Sequence, residues 1–387
     1  MPAMLAGNAS TDFVTKIGQA LEGAGRRGIH VTAGAGTVHL ESQQFAHRPA
    51  EDDEDAAPPG RPHHLEEPPG PRHPGEHDGT SRLCYFLDGV QSTRELGRIG
   101  MSPVIVATVA AVVVNRFERR FSRMSLEDAP VVVQAVILPR SAGDADVQGF
   151  WELLIEAGFS ELGPEEAPTT GHVILDSAEY MTDADPSDYV GMRERARVRV
   201  RALRERLEAE MLRRWELDDQ TLADPDAWIA VDGQLKDIKE SNRRAVGLIK
   251  SVARPEFVGK DVGMLLDLEP GMRTTSFVPD WQLRRSVGEQ RTSWYLRMWP
   301  QQSGADALGS LMRIEAPRDT KPSQIDEISR WVLAERAPLA KPDPRWPAMI
   351  YPIHYVEKVL KPLVQSAERS YSKLERQLLS GPANGGT

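Results

Sequence analysis

Three apolar runs, at residues 83–87, 104–114 and 131–138, follow one another through the first half of the chain. They are built of valine, isoleucine, leucine and aromatic side chains, which pack well on a pleated surface. Such a succession predicts three sequential strands, hairpin-connected and antiparallel, inside a sizeable core. A helical stretch at 147–157 and a strand at 172–175 come next. Residues 188–215 then alternate arginine and glutamate around an apolar stripe (Ala196, Val200, Leu203, Leu207, Met211), the spacing of a long helix with one buried side. The turn signal Asp224-Pro225 leads to a fourth strand at 228–231, and residues 241–251 are expected to be helical. The resulting order, β-β-β-α-β-α, is that of an α/β fold whose mixed sheet is flanked by helices. Strands at 273–277, 293–299 and 309–314 and helices at 322–337 and 352–379 extend it toward the C-terminus.

Of the 387 residues, 40% are apolar and 27% charged, as in ordinary globular proteins. The longest apolar run is about half the length of a membrane helix, and the N-terminus lacks a basic-then-apolar order. A soluble, cytoplasmic protein without a membrane partner is expected. Cys84 is the single cysteine and lies inside an apolar run, which suits a small packed side chain better than a reactive thiol. Residues 1–45 read as an extension with a short helix at 11–21 and a strand-like piece at 29–40. Residues 46–80 are dominated by proline, glycine, acids and histidine, and are expected to form a disordered loop. Five of the nine histidines fall in it (His47, His63, His64, His73, His77) without the regular spacing of a zinc motif. The loop also holds nine acids against three arginines, so it accounts for much of the net charge of −10. Phosphate contacts elsewhere must then come from local basic patches rather than from net charge. Residues 81–380 read as the main domain and 381–387 as a flexible tail.

The first and fourth strands are each expected to end on the same pair, Leu87-Asp88-Gly89 and Val231-Asp232-Gly233. A carboxylate at a strand tip is held by a rigid sheet, and the glycine after it lets backbone or substrate come close. Taken singly, an Asp-Gly pair is also a common turn. Two such tips on neighbouring strands can share a divalent cation, and their oxygen ligands suit Mg²⁺ or Mn²⁺.

The arrangement resembles the NurA family of DNA-end-processing nucleases, which have an RNase H-like core. Asp88 in LDGVQS and Asp232 in VDGQLKD look like the family's two Asp-Gly positions. Similar pieces follow in order: Lys250 in GLIKS, Arg297 in WYLR, the Arg313-Ile314-Glu315 segment, and Tyr351-Pro352 at the start of the last helix. The resemblance spans about residues 83–375. It implies a Mn²⁺- or Mg²⁺-dependent deoxyribonuclease, working as a homodimer beside a hexameric HerA-like ATPase that moves DNA. It also implies a third metal ligand on the long helix: Glu208 is the choice, with Glu205 and Glu210 as rivals. Lys250 and Arg297 become candidates for phosphate binding, with Glu315 and Tyr351 as further substrate contacts. The family carries a histidine about two helical turns after its Tyr-Pro; Lys358 stands in that neighbourhood here, and His354 comes a turn earlier as a candidate proton-transfer group. A catalytically inactive adaptor for the same motor, and action on RNA or in phage defence, remain open readings. No Gly-x-x-x-x-Gly-Lys-Ser/Thr loop is present, so any ATP hydrolysis would belong to a partner.

Overall fold

The computed structural model describes residues 2–34, 60–117, 120–123, 130–164, 166, 168, 170–179, 185, 187–235, 244–250, 255–259, 261–301, 307–338 and 346–380. The elements run α1 (Pro2–Arg26), β1 (Val31–Ala33), β2 (His63–His64), β3 (Pro71–Arg72), β4 (Leu83–Ile99), β5 (Ser102–Phe117), β6 (Arg120–Arg123) and β7 (Val131–Leu138). After them come α2 (Ala145–Glu156), β8 (Ser160–Glu161), β9 (Gly171–Asp176), α3 (Tyr189–Leu217), α4 (Asp219–Ala223), β10 (Trp228–Asp232) and β11 (Ala245–Ile249). The C-terminal part adds α5 (Asp261–Leu266), β12 (Arg273–Thr274), β13 (Phe277–Val278), β14 (Arg291–Arg297), β15 (Leu311–Pro317), α6 (Pro322–Ala334) and α7 (Tyr351–Ser380).

Among the described residues the fifteen strands form one mixed sheet. Its centre has the order β7-β5-β4-β10-β11. In the first three each strand is antiparallel to its neighbour, while β10 runs parallel to β4 and β11 parallel to β10. This is the RNase H-like arrangement, and β14 and β15 continue it beyond β11. Strand β5 shows why the core forms here: it is buried without a break from Ser102 to Val114. A run that is apolar on both faces must be covered on both, so helices are required above and below the sheet. Helix α3 covers one face, laying Ala196, Val200, Leu203, Leu207 and Met211 on Leu87, Val109 and Val231. The side chain of Asp188 caps that helix by accepting the Gly191 N–H at 2.9 Å. The opposite face is covered by α6 and α7, and toward the other end by α1 and α2.

Four sequence expectations are corrected. First, β4 does not end at Asp88-Gly89 but continues to Ile99, because its hairpin with β5 stays paired, through a register shift between Glu95 and Gly97, as far as Ile99↔Ser102. What ends there is the pairing with β10, whose last partner pair is Val231↔Leu87. Second, residues 245–249 form a strand rather than part of a helix. A short apolar run is ambiguous by periodicity, and this one is flanked by β10 and β15. Third, the part of the expected disordered loop from residue 60 onward has an ordered course, since β2 pairs with β13 and β3 with β12. The carboxylate of Glu66 there reaches the buried Arg273 guanidinium at 2.9 Å. Residues 46–59 lie outside the described set, as do 35–40 of the expected N-terminal strand and the tail 381–387. Fourth, the N-terminal helix is longer than expected and belongs to the core, with Phe13, Ile17 and Ala20 at most 1% exposed.

Candidate active site

Alternation along β4 and β10 decides what meets at the end of their shared ladder. Leu87 and Val231 turn toward α3, whereas Phe86 and Ala230 turn toward α6 and α7. With side chains alternating, Asp88 and Asp232 are the next residues on the α7 side of two adjacent parallel strands. Asp88 is 4% exposed. Burial pushes its carboxyl well above the ordinary aspartate range, and the charges of Asp232, Glu208 and Glu357 push it further, against a downward pull from Lys250.

Lys250, one residue beyond β11, donates to Asp232 Oδ2 at 2.7 Å. Burial alone would lower its pKa, but Asp232, Asp88 and Glu357 together hold the ammonium above the usual lysine value. Glu208 arrives from the other layer. An ideal Cβ on Gly89 would lie 2.2 Å from Glu208 Oε1, so the carboxylate of α3 rests on the backbone beside Asp88 in a space that only glycine leaves. Arg204, one turn earlier, donates to Glu208 Oε1 at 3.3 Å. Burial pulls that guanidinium down, and Glu208, Glu205, Asp88 and Asp232 outweigh it. The rival Glu210 is engaged by Arg213 and Arg214 at 2.7 and 2.9 Å, and Glu205 lines a groove beside α3.

Sequence reading missed Glu357. It lies on α7, one turn beyond His354, and its charge acts on both Asp88 and Lys250. Lys361 Nζ is 3.1 Å and His354 Nδ1 3.7 Å from its carboxylate. The His354 ring also stands edge-on to Trp346 at 4.8 Å, so it reaches the site through Glu357.

Two candidate substrate residues are placed elsewhere. Arg297 is 1% exposed and donates to the carbonyls of Leu265, Gly309 and Leu268 at 2.6, 2.8 and 3.2 Å. It ties loops together and does not face a phosphate. Glu315 is likewise 1% exposed; it accepts the Leu235 N–H at 3.0 Å and faces Arg313 at 3.3 Å. Its part is to hold the turn that follows Asp232. Tyr351 is 52% exposed at the start of α7, within 6.4 Å of the Phe121 ring. Cys84 is half-buried with its thiol pushed up by burial, the opposite of an activated nucleophile.

The donor set suits a hard divalent cation, being carboxylate oxygens on rigid elements. Among the described residues no three such side chains are already drawn round one point; Lys250 supplies the counter-charge. Buried carboxylates that repel one another bind a cation in preference to remaining unpaired. No protein-family model matches the chain, and no curated protein matches it.

Proposed function

We propose that this chain is a Mn²⁺- or Mg²⁺-dependent nuclease of the NurA kind, with Asp88, Asp232 and Glu208 as metal ligands. The observation that carries the reading is the buried Asp88, placed with Asp232 at the end of the ladder shared by β4 and β10 on an RNase H-like sheet, with Glu208 against the adjoining Gly89. A bound divalent cation would supply Lewis-acid charge at the scissile phosphate and acidify water. The side chains divide the remaining work. Lys250 steadies Asp232 and can turn to a phosphate oxygen, while Arg204 holds Glu208 against Gly89. Glu357 and His354 stand 3.7 Å apart (Oε2 to Nδ1), beside the carboxylates, as candidates for proton transfer.

The proposal extends to DNA as substrate, a homodimer, a HerA-like ATPase as partner and a cytoplasmic setting. Among the described residues no helix is long and apolar enough to cross a membrane. The Lys250–Asp232 ion pair also favours a second reading, an inactive adaptor for such a motor in which the ammonium permanently takes the cation's place. Both are tested by incubating the protein with end-labelled single- and double-stranded linear DNA, and with RNA, in EDTA, Mg²⁺ or Mn²⁺, with and without the ATPase. Metal-dependent cutting abolished by Asp88→Asn/Asp232→Asn supports the enzyme. No cutting with the partner present supports the adaptor.

A further inference from the structure

A cavity of about 580 Å³ runs along α3, with residues from Glu194 to Leu212 on its wall. At 1.5 Å per residue the lining residues span about 27 Å of that helix. Its floor is apolar (Leu87, Val198, Ala202, Val231), one end is bounded by Ser177 just after β9, and the other opens on Glu208 and Asp232. Arginines line it. Arg195 Nη1, Arg199 Nε and Arg204 Nε are buried without a hydrogen-bond partner among the described residues. Two of these side chains direct other nitrogens at carboxylates, Arg199 at Glu179 (3.0 Å) and Arg204 at Glu208 (3.3 Å). Buried guanidinium N–H groups without an acceptor are costly, and phosphate oxygens are the acceptors that fit a planar fork.

We propose that this groove binds the sugar–phosphate backbone of a single nucleic-acid strand and leads it to the carboxylates at the end of β4 and β10. The proposal rests on the nuclease reading for its direction, but its binding chemistry stands on the groove itself. Separation distinguishes a strand from a small phosphorylated ligand: Arg195 and Arg204 lie two and a half turns apart on α3, about 13 Å along its axis and on opposite flanks, so a single phosphate cannot serve both. Among the described residues the groove wall carries no aromatic side chain, which points to backbone contacts rather than base stacking.

The test is fluorescence anisotropy of a labelled twelve-nucleotide oligothymidylate against the full-length protein in EDTA, from 50 to 300 mM salt. It compares wild type, Arg195→Ala/Arg199→Ala, Arg195→Lys/Arg199→Lys, and Arg213→Ala, an exposed arginine of the same helix outside the groove lining. Wild type and Arg213→Ala should bind alike, with affinity falling steeply as salt rises. The double alanine variant should bind at least about fivefold more weakly, and its log–log salt slope should shrink by about 0.7 for each phosphate no longer neutralised. Arg195→Lys/Arg199→Lys, which keeps both charges, should recover most of the slope, a result that loss of folding would not give. Equal binding by the double alanine variant, or binding of inorganic phosphate alone with no preference for the oligonucleotide, would overturn the groove. Arginine-dependent binding without cleavage under any metal would retire the nuclease reading and leave the groove standing; cleavage that ignores these arginines would do the reverse.

Discussion

Gly89→Ala separates the architecture of the site from the stability of the fold. The new Cβ would meet Glu208 Oε1 at 2.2 Å and its Cδ and Cγ at 2.9 Å, so the carboxylate must retreat by about 1 Å to reach ordinary packing distance. All three atoms belong to one flexible side chain, and alanine is at least as good as glycine in a strand interior, by roughly 0.5–1 kcal/mol. The metal-free variant should therefore unfold within about 1 kcal/mol of wild type. Metal binding should suffer, because displacing a ligand costs at least the roughly 10- to 100-fold typical of mutating a ligand's supporting partner. With Mn²⁺ at about a hundred times the wild-type Kd, binding adds about 2.7 kcal/mol to stability; a variant binding about tenfold more weakly retains only about 1.4 kcal/mol. Urea unfolding of wild type, Gly89→Ala and Glu208→Gln, each with and without Mn²⁺, reads both quantities. Should Gly89→Ala keep the full Mn²⁺ increment, or lose several kcal/mol without metal, the placement of Glu208 in the metal site is wrong.

Other outcomes follow from the same geometry. Lys250→Met leaves Asp88 and Asp232 facing each other without their ammonium, and should cost about 3 kcal/mol in metal-free unfolding; Mn²⁺ should restore much of that loss. Gly247→Ala should destabilise by about 2 kcal/mol, since its Cβ would lie 2.7 Å from the backbone carbonyl of Gly233, which cannot swing aside as a side chain can. Burial pushes Glu66 up, but Arg273 and Ser276 outweigh it and hold the carboxyl below the ordinary glutamate range. A group depressed in this way stabilises the fold above its unfolded pKa, and the benefit disappears as pH falls through the folded value. Glu66→Gln should accordingly be less stable than wild type near neutrality, with the two stabilities converging below about pH 4 in pH-dependent denaturation.

The parts of this structure that could be read from the sequence are those set by local pattern. Valine-rich runs declared β5 and β7, and the stripe from Ala196 to Met211 declared the buried side of α3. Asp88 and Asp232 could be paired because both follow apolar strand residues by one position. The rest depends on contacts between distant segments. The second half of β4 is polar, and it stays in the sheet through its hairpin with β5 and through Ser92–Glu368 and Arg94–Glu375 pairs with α7. Glu66 is ordered by Arg273, more than two hundred residues away. Arg297 and Glu315 read as substrate contacts because the backbone groups they bind, the Leu265 carbonyl and the Leu235 N–H, are revealed by no side-chain pattern. Glu357 was passed over because the phase of α7 against the sheet is set by packing on Phe86 and Ala230, not by anything written around it.

A crystal of the protein soaked in Mn²⁺ and measured at the manganese absorption edge tests the metal centre most directly. The account predicts an anomalous peak bounded by Asp88, Asp232 and Glu208, with Lys250 Nζ displaced from its present 2.7 Å contact with Asp232. A map without a peak there, with the Lys250–Asp232 ion pair intact at saturating Mn²⁺, would contradict it.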